Sequence, residues 1–189
     1  MTQREVAVFG GSFNPPHVAH VFAASWVLSA TRVQSLIVVP TFQHPFHKAM
    51  APFEQRLAMT ERAFADLKRV TVSRVEAELG GDSYTLRTLE ELQKRMPDVG
   101  LRLVVGEDLL AESSRWHAFD RVIALAPLLV LGREGHRAGA DLAVTLPEVS
   151  STEVRRRLHS NEPVEGIVPA SVMDYIAEHR LYRTEEEGA

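Results

Sequence analysis

Residues 6–20 read VAVFGGSFNPPHVAH, a segment that indicates the class of fold. Its first four residues are apolar and are followed by Gly10-Gly11, a pattern that predicts a buried strand entering a tight turn. From Val18 the apolar residues recur at helical spacing, which predicts a helix to about Ala30. The chain therefore opens with a strand, a glycine turn and a helix in immediate succession.

The alternation of strands and helices continues along the chain. Apolar runs predict further strands at residues 36–39, 70–75, 101–105 and 128–131, with a sixth candidate at 142–146. Helical spacing predicts helices at residues 53–67, 85–96, 116–126, 151–159 and 169–179, the last with proline at its first position. This order predicts an α/β fold, a doubly wound parallel sheet with helices on both faces.

Composition bounds the class of protein. The 189 residues suffice for one domain spanning 1–189 with a substantial core. The absence of cysteine excludes disulfides and thiolate metal sites, and the net charge of −4 argues against a nucleic-acid partner. There is no signal-peptide pattern, and no apolar run approaches the roughly 20 residues that span a bilayer. We therefore expect a cytoplasmic protein without a membrane partner.

The glycine turn and the helix after it form a candidate anion site. Gly10 and Gly11 allow the backbone to approach a ligand closely and to take angles that other residues avoid. The helix directs its free N–H groups and positive dipole end at the same space. His17 and His20 lie three residues apart, so both rings are expected on one face, where they can donate to phosphoryl oxygens. The alternatives are a plain turn with two surface histidines and a metal site, which lacks a third ligand.

Several other polar residues follow predicted strands or begin helices. Lys48 is a candidate point charge for a phosphate, whereas the neighbouring His44 is expected to be solvated. Ser151 is expected to cap a helix whose N-terminus and Arg155 could hold a second phosphate, the alternative being a capped surface helix.

Two further residues keep two interpretations each. Asp108 could accept from ribose hydroxyls or cap a helix, and Trp116 could stack on a ligand ring or fill the core. The segments at 10–20, 41–48 and 106–108 all follow strands, and parallel sheets bind ligands beyond those strand ends. The sequence therefore predicts one site from these segments.

Two segments resemble signatures of the nucleotidylyltransferase superfamily. Residues 10–20 resemble its HxxH signature, and residues 149–155, VSSTEVR, resemble its second signature. The segments SYTLRTL at 83–89, GED at 106–108 with Trp116, REG at 133–135 and the ending at 168–182 resemble bacterial nicotinate-nucleotide adenylyltransferases, so that the resemblance covers nearly the whole chain in order. It implies a Rossmann-like nucleotidylyltransferase fold and direct, in-line transfer of AMP from ATP to nicotinate mononucleotide, with no covalent intermediate.

The resemblance also implies roles for individual residues. The ATP-binding residues would be Gly10, Gly11, Ser12, Phe13, His17, His20, Gly106, Asp108, Ser151, Thr152 and Arg155. The mononucleotide would be bound by Lys48, Tyr84, Thr85, Trp116 and Arg133. The catalytic donors would be His17, His20, Lys48 and Arg155, with Mg²⁺ carried in on ATP and no metal held by the protein.

The chain departs from the family pattern at a few positions. Ala19 stands where the first signature has glycine, and Asn14 stands where aspartate is frequent, so we give position 14 no charge-dependent role. Phe46 falls where a second proline is usual, which leaves the geometry of the 41–48 loop open. The alternatives are a relative acting on nicotinamide mononucleotide or phosphopantetheine, and a nucleotide-binding module without catalysis.

Overall fold

A parallel sheet forms the centre of the protein. The computed structural model describes residues 4–46, 48–107, 116–132 and 146–183. Its strands are β1 Arg4–Gly11, β2 Ser35–Pro40, β3 Val70–Val72, β4 Val99–Gly106 and β5 Leu128–Leu131. They lie in the order β3-β2-β1-β4-β5, and every neighbouring pair is parallel. This arrangement confirms the predicted doubly wound sheet.

Helices cover both faces of the sheet. They are α1 Val18–Ala30, α2 Phe53–Phe64, α3 Val75–Leu79, α4 Thr85–Arg95, α5 Phe119–Leu125, α6 Ser151–His159 and α7 Ala170–Glu178. Side chains alternate along a strand, so Ala7 of β1 packs into a core with α1, α2, α6 and α7. Its neighbours Val6 and Val8 pack into the opposite core, with α4 and α5. None of the described helices has the length and apolarity that crossing a membrane requires.

The third predicted strand is partly wrong. Residues 70–75 were expected to be a strand, but β3 ends at Val72 and helix α3 begins at Val75. The carboxylate of Glu76 in α3 accepts hydrogen bonds from the Phe42 N–H and the Thr88 hydroxyl. These partners are distant in sequence, so periodicity within the segment could not indicate the helix.

Other boundaries differ by a few residues. Strand β1 continues through Gly11 because residues 10 and 11 still pair with β2. Pro169 is the N-cap of α7 rather than its first residue, and the helix expected at 116–126 covers only α5. Helix α2 ends at Phe64, three residues short of the prediction. Residues 142–145 of the sixth candidate strand lie outside the described residues.

The strand order creates a crevice between β1 and β4. From β1 the chain proceeds to β2 and β3 on one side, then crosses to β4 and β5 on the other. The connections after β1 and β4 therefore diverge, which opens space beyond their carboxyl ends. Gly10 and Gly11 end β1, and Gly106 ends β4, so three predicted site residues border this opening.

Candidate active site

A cleft of about 740 Å³ opens beyond the carboxyl ends of the strands, which is within the usual size range of small-molecule sites. Seven of the predicted site residues line it: Gly10, Gly11, Ser12, Lys48, Tyr84, Thr85 and Trp116. The other described candidates lie outside this lining. Asp108 and Arg133 are outside the described residues, so their roles stay predictions.

The two glycines differ in what their missing side chains allow. A Cβ on Gly11 would lie 3.2 Å from the Phe13 ring, whereas a Cβ on Gly10 would meet nothing within 4 Å. The missing side chain of Gly10 therefore leaves space in the cleft, and that of Gly11 leaves space for the Phe13 ring. The expectation of unusual backbone angles at both glycines is wrong because they belong to a strand; Phe13 has the left-handed conformation instead, with φ 44°.

Phe13 is a core residue. Its side chain is 1% exposed and packs edge-on against Phe64 and His20. A contact between this ring and ATP is excluded, since the ring is enclosed by protein. The predicted contact of Phe13 with ATP would therefore be made by its main chain.

The structure brings the two predicted histidines together at the start of α1. His17 is the N-cap residue, and its main-chain N–H donates to Nδ1 of His20 over 3.2 Å. The two imidazole rings stack with centroids 3.8 Å apart. The His17 ring is buried, so the alternative of two surface histidines is wrong for this residue.

The surroundings of His20 define its protonation state. Packing among aromatic rings removes water from the imidazole, which lowers its pKa well below the usual value, and the adjacent His17 lowers this pKa further. His20 is therefore neutral at pH 7. Because its Nδ1 accepts a hydrogen bond, Nε2 carries the proton. The ring can offer a phosphoryl oxygen a hydrogen bond without a positive charge.

Helix α6 meets the loop that follows β1, as the predicted convergence of the two signatures requires. The Ser151 hydroxyl donates to the Pro15 carbonyl over 2.9 Å, and Nη1 of Arg155 donates to the Asn14 carbonyl over 2.7 Å. The cap itself was assigned wrongly. Ser150 is the N-cap, and its hydroxyl accepts from the Glu153 N–H, since only position 150 lies three residues before that amide.

Asn14 connects segments that are distant in sequence. Its Oδ1 accepts from the Tyr182 hydroxyl over 2.8 Å and from the Ala51 N–H over 3.2 Å. Burial raises the pKa of the Tyr182 hydroxyl, which keeps it a donor. A neutral amide oxygen is sufficient for both contacts. Asn14 therefore acts as a structural acceptor, a role that sequence reasoning missed.

The wall of the cleft that carries Lys48 is held by Glu76, which no motif indicated, and by Ser83 of the 83–89 segment. The Phe42 N–H donates both to Oε2 of Glu76 and to the Ser83 hydroxyl, each over 3.0 Å. The Ser83 hydroxyl also accepts from the Gln43 N–H. These bonds hold the start of the loop that carries Lys48. Sequence patterns did not indicate these hydrogen bonds, because more than 30 residues separate the partners.

Aromatic side chains form part of the same wall. Tyr84 is 40% exposed, and its ring centroid lies 5.2 Å from that of His117, which also lines the cleft. Trp116 lines the cleft, and its ring also packs edge-on against Phe119 with centroids 5.8 Å apart. The two interpretations of Trp116 are thus compatible. His117 was missed, although it is adjacent to Trp116.

Comparison with known proteins agrees with this geometry. The family model for cytidylyltransferase-like proteins matches residues 8–157. A probable nicotinate-nucleotide adenylyltransferase of Anaeromyxobacter dehalogenans is 49% identical, covering 95% of this chain and 97% of its own. One from Myxococcus xanthus is 40% identical, with 94% of each chain covered.

The fold also matches a solved structure. Plasmodium falciparum nicotinic acid mononucleotide adenylyltransferase, complexed with NaAD, superposes with a TM-score of 0.81. That match covers 95% of this chain and 97% of the other at 16% identity, so it shows the fold alone. From the family match and the two relatives, the chain belongs to the cytidylyltransferase-like family and, within it, to the nicotinate-nucleotide adenylyltransferases.

Proposed function

We propose that this protein transfers AMP from ATP to nicotinate mononucleotide and releases nicotinate adenine dinucleotide and pyrophosphate. One observation carries the proposal: the cleft at the β1–β4 crevice has the glycine loop on one side and Lys48, Tyr84 and Trp116 on another. Phosphate-binding and ring-binding groups therefore face a common space. The names of the relatives support the same acceptor.

ATP is assigned to the side of the glycine loop. Its phosphates would lie at the N-terminus of α1, with Nε2 of His20 and the main chain of residues 10–13 as donors. Thr152 and Arg155 would hold the β- and γ-phosphates from α6. Nη2 of Arg155 donates to the Thr152 hydroxyl over 3.2 Å, which orients both side chains together. His17, Gly106, Asp108 and Ser151 complete the proposed ATP set.

Nicotinate mononucleotide is assigned to the wall that carries Lys48. The Lys48 ammonium would attract the phosphate, and Tyr84, Thr85 and Trp116 would frame the pyridine ring. Arg133 completes the proposed acceptor set. With both substrates bound, the acceptor phosphate would lie between Lys48 and the ATP phosphates.

The reaction needs positioning more than proton transfer. A phosphate oxygen of the mononucleotide is already an anion, so it can attack the α-phosphorus of ATP without a general base. The new P–O bond forms as the bond to the β-phosphate bridging oxygen breaks, and pyrophosphate leaves with that electron pair. Within residues 4–46, 48–107, 116–132 and 146–183, no three acidic or histidine side chains are arranged to hold a metal. ATP is proposed to enter as its magnesium complex, because Mg²⁺ is usually bound through substrate phosphates and water together with one or two carboxylates.

The acceptor is tested by following pyrophosphate release from ATP with each of three candidates. Nicotinate mononucleotide, nicotinamide mononucleotide and phosphopantetheine are compared at equal concentration, with an acceptor-free reaction as control. We expect the highest kcat/KM with nicotinate mononucleotide. A preference for phosphopantetheine would replace the proposed substrate, and no release with any acceptor would favour a non-catalytic nucleotide-binding module.

The stereochemical course tests the direct displacement. ATP made chiral at the α-phosphorus is converted with nicotinate mononucleotide, and the configuration of the dinucleotide is determined. A single in-line attack inverts the configuration. Retention would require two successive displacements and hence a covalent nucleotidyl-enzyme, which contradicts the proposed mechanism.

A further inference from the structure

Arg56 of α2 is a buried cation that the proposed reaction does not use. Its side chain is 1% exposed, although arginine is rarely enclosed without partners. Three main-chain carbonyl oxygens accept from its guanidinium: Nε donates to Ala51 over 2.8 Å, Nη1 to Ser12 over 2.9 Å and Nη2 to Phe42 over 3.3 Å. The planar group therefore has three fixed directions of contact.

The three carbonyls belong to the two loops that border the cleft. Ser12 lies in the loop after β1, which is assigned to ATP. Phe42 and Ala51 lie in the segment after β2, which carries Lys48 and is assigned to the mononucleotide. One rigid guanidinium thus bridges the two substrate loops, and a lysine could not reproduce this fork.

The main chain of Phe42 is held at both its N–H and its carbonyl. Its carbonyl accepts from Arg56, while its N–H donates to Glu76 and to the Ser83 hydroxyl. The centroid of the Phe53 ring lies 5.6 Å from the Arg56 guanidinium carbon and 5.3 Å from the centroid of the Phe42 ring. The start of the Lys48 loop is therefore fixed relative to Ser12.

We propose that Arg56 is a positioning residue that sets the separation between the ATP loop and the mononucleotide loop. The inference rests on the proposed function, because only a reaction between two bound phosphates makes this separation important. Transfer requires the attacking oxygen to be close to the α-phosphorus and in line with the leaving group. Loosening the bridge should therefore lower the rate of transfer in the complex with both substrates bound more than it lowers the affinity for either substrate.

The test is Arg56→Lys, which keeps the charge and removes the fork. We expect kcat to fall by about tenfold or more, because small displacements of bound reactants cost large factors in rate. The KM values for ATP and nicotinate mononucleotide should change less than about threefold, since each loop keeps its own ligands. Arg62→Lys is the matched control, an exposed arginine on the same helix that donates to Ala58.

Folding is separated from positioning by measuring the thermal midpoint of each variant and assaying well below it. A lowered midpoint with unchanged kcat would assign Arg56 a purely structural role and overturn the proposal. Raised KM values at normal kcat would overturn it as well. If Arg56→Lys does not fold, Arg56→Gln, whose single amide cannot bond all three carbonyls, is assayed in the same way, and a normal kcat in that variant would likewise reject it.

Different measurements test the proposed function and the positioning role of Arg56. Wild-type turnover with nicotinate mononucleotide tests the function. The ratio of kcat in Arg56→Lys to kcat in the wild type, measured with the acceptor that the wild type turns over best, tests the positioning role. If the wild type turns over another acceptor better, that acceptor replaces the proposed substrate. The kcat ratio, measured with that acceptor, still tests the positioning role.

Discussion

Replacing His20 with asparagine is expected to lower kcat by about 100-fold while the protein stays folded. The asparagine amide oxygen can take the place of Nδ1 and accept from the His17 N–H, so the start of α1 is retained. The variant lacks a donor at the position of Nε2, which is the atom that faces a phosphate in the proposed mechanism. Steady-state kinetics with a circular dichroism spectrum measure both effects.

His20→Gln is the complementary control. Its amide nitrogen can reach the position of Nε2, but it leaves the His17 N–H without its acceptor. We expect His20→Gln to retain more turnover than His20→Asn and to have the lower thermal midpoint. Near-normal kcat in His20→Asn would show that the Nε2–H donor is not needed, and the assignment of His20 would be withdrawn.

Replacing Lys48 with methionine is expected to lower kcat/KM for nicotinate mononucleotide by about 100-fold. Lys48 is an exposed residue on the wall of the cleft, so its removal leaves no buried gap. In the proposed mechanism the acceptor phosphate is both the group that Lys48 attracts and the nucleophile, so binding and reaction should both weaken. The KM for ATP, measured at saturating mononucleotide, should stay near its wild-type value.

The matched control for charge is Lys94→Met, since Lys94 is an exposed lysine in the last turn of α4. Its kinetics should equal those of the wild type. Lys48→Arg should recover part of the loss, because it restores the charge with a different shape. A change below about threefold in Lys48→Met would show that this ammonium does not contact the reacting phosphate.

Local sequence patterns predicted those parts of the fold whose cause is local. The apolar run of β1, the helical spacing of α1 and the strand–helix alternation each depend on neighbouring residues, and the sheet confirms them. The convergence of residues 10–17 with α6 was also predicted, from two signatures far apart in the chain. Both segments resemble signatures of one superfamily, which explains this success.

The features that were missed depend on contacts across the fold. Helix α3 is held by Glu76 through partners on other elements, and Arg56 is buried by carbonyls of two different loops. Neither residue differs in sequence from an ordinary surface charge. The Phe13 ring lies in the core and its backbone has the left-handed conformation, so a contact with ATP through its main chain stays a prediction. Such placements follow from the assembled structure.

The contacts of Asn14 have a consequence for how the protein is made. Its side chain accepts from Tyr182, 168 residues later, and its carbonyl accepts from Arg155, 141 residues later. The N–H of Val18, at the start of α1, donates to the Ile167 carbonyl. The loop after β1 is synthesised before all three of these partners. A growing chain therefore cannot form the full set of contacts that hold this loop until Tyr182 has been added.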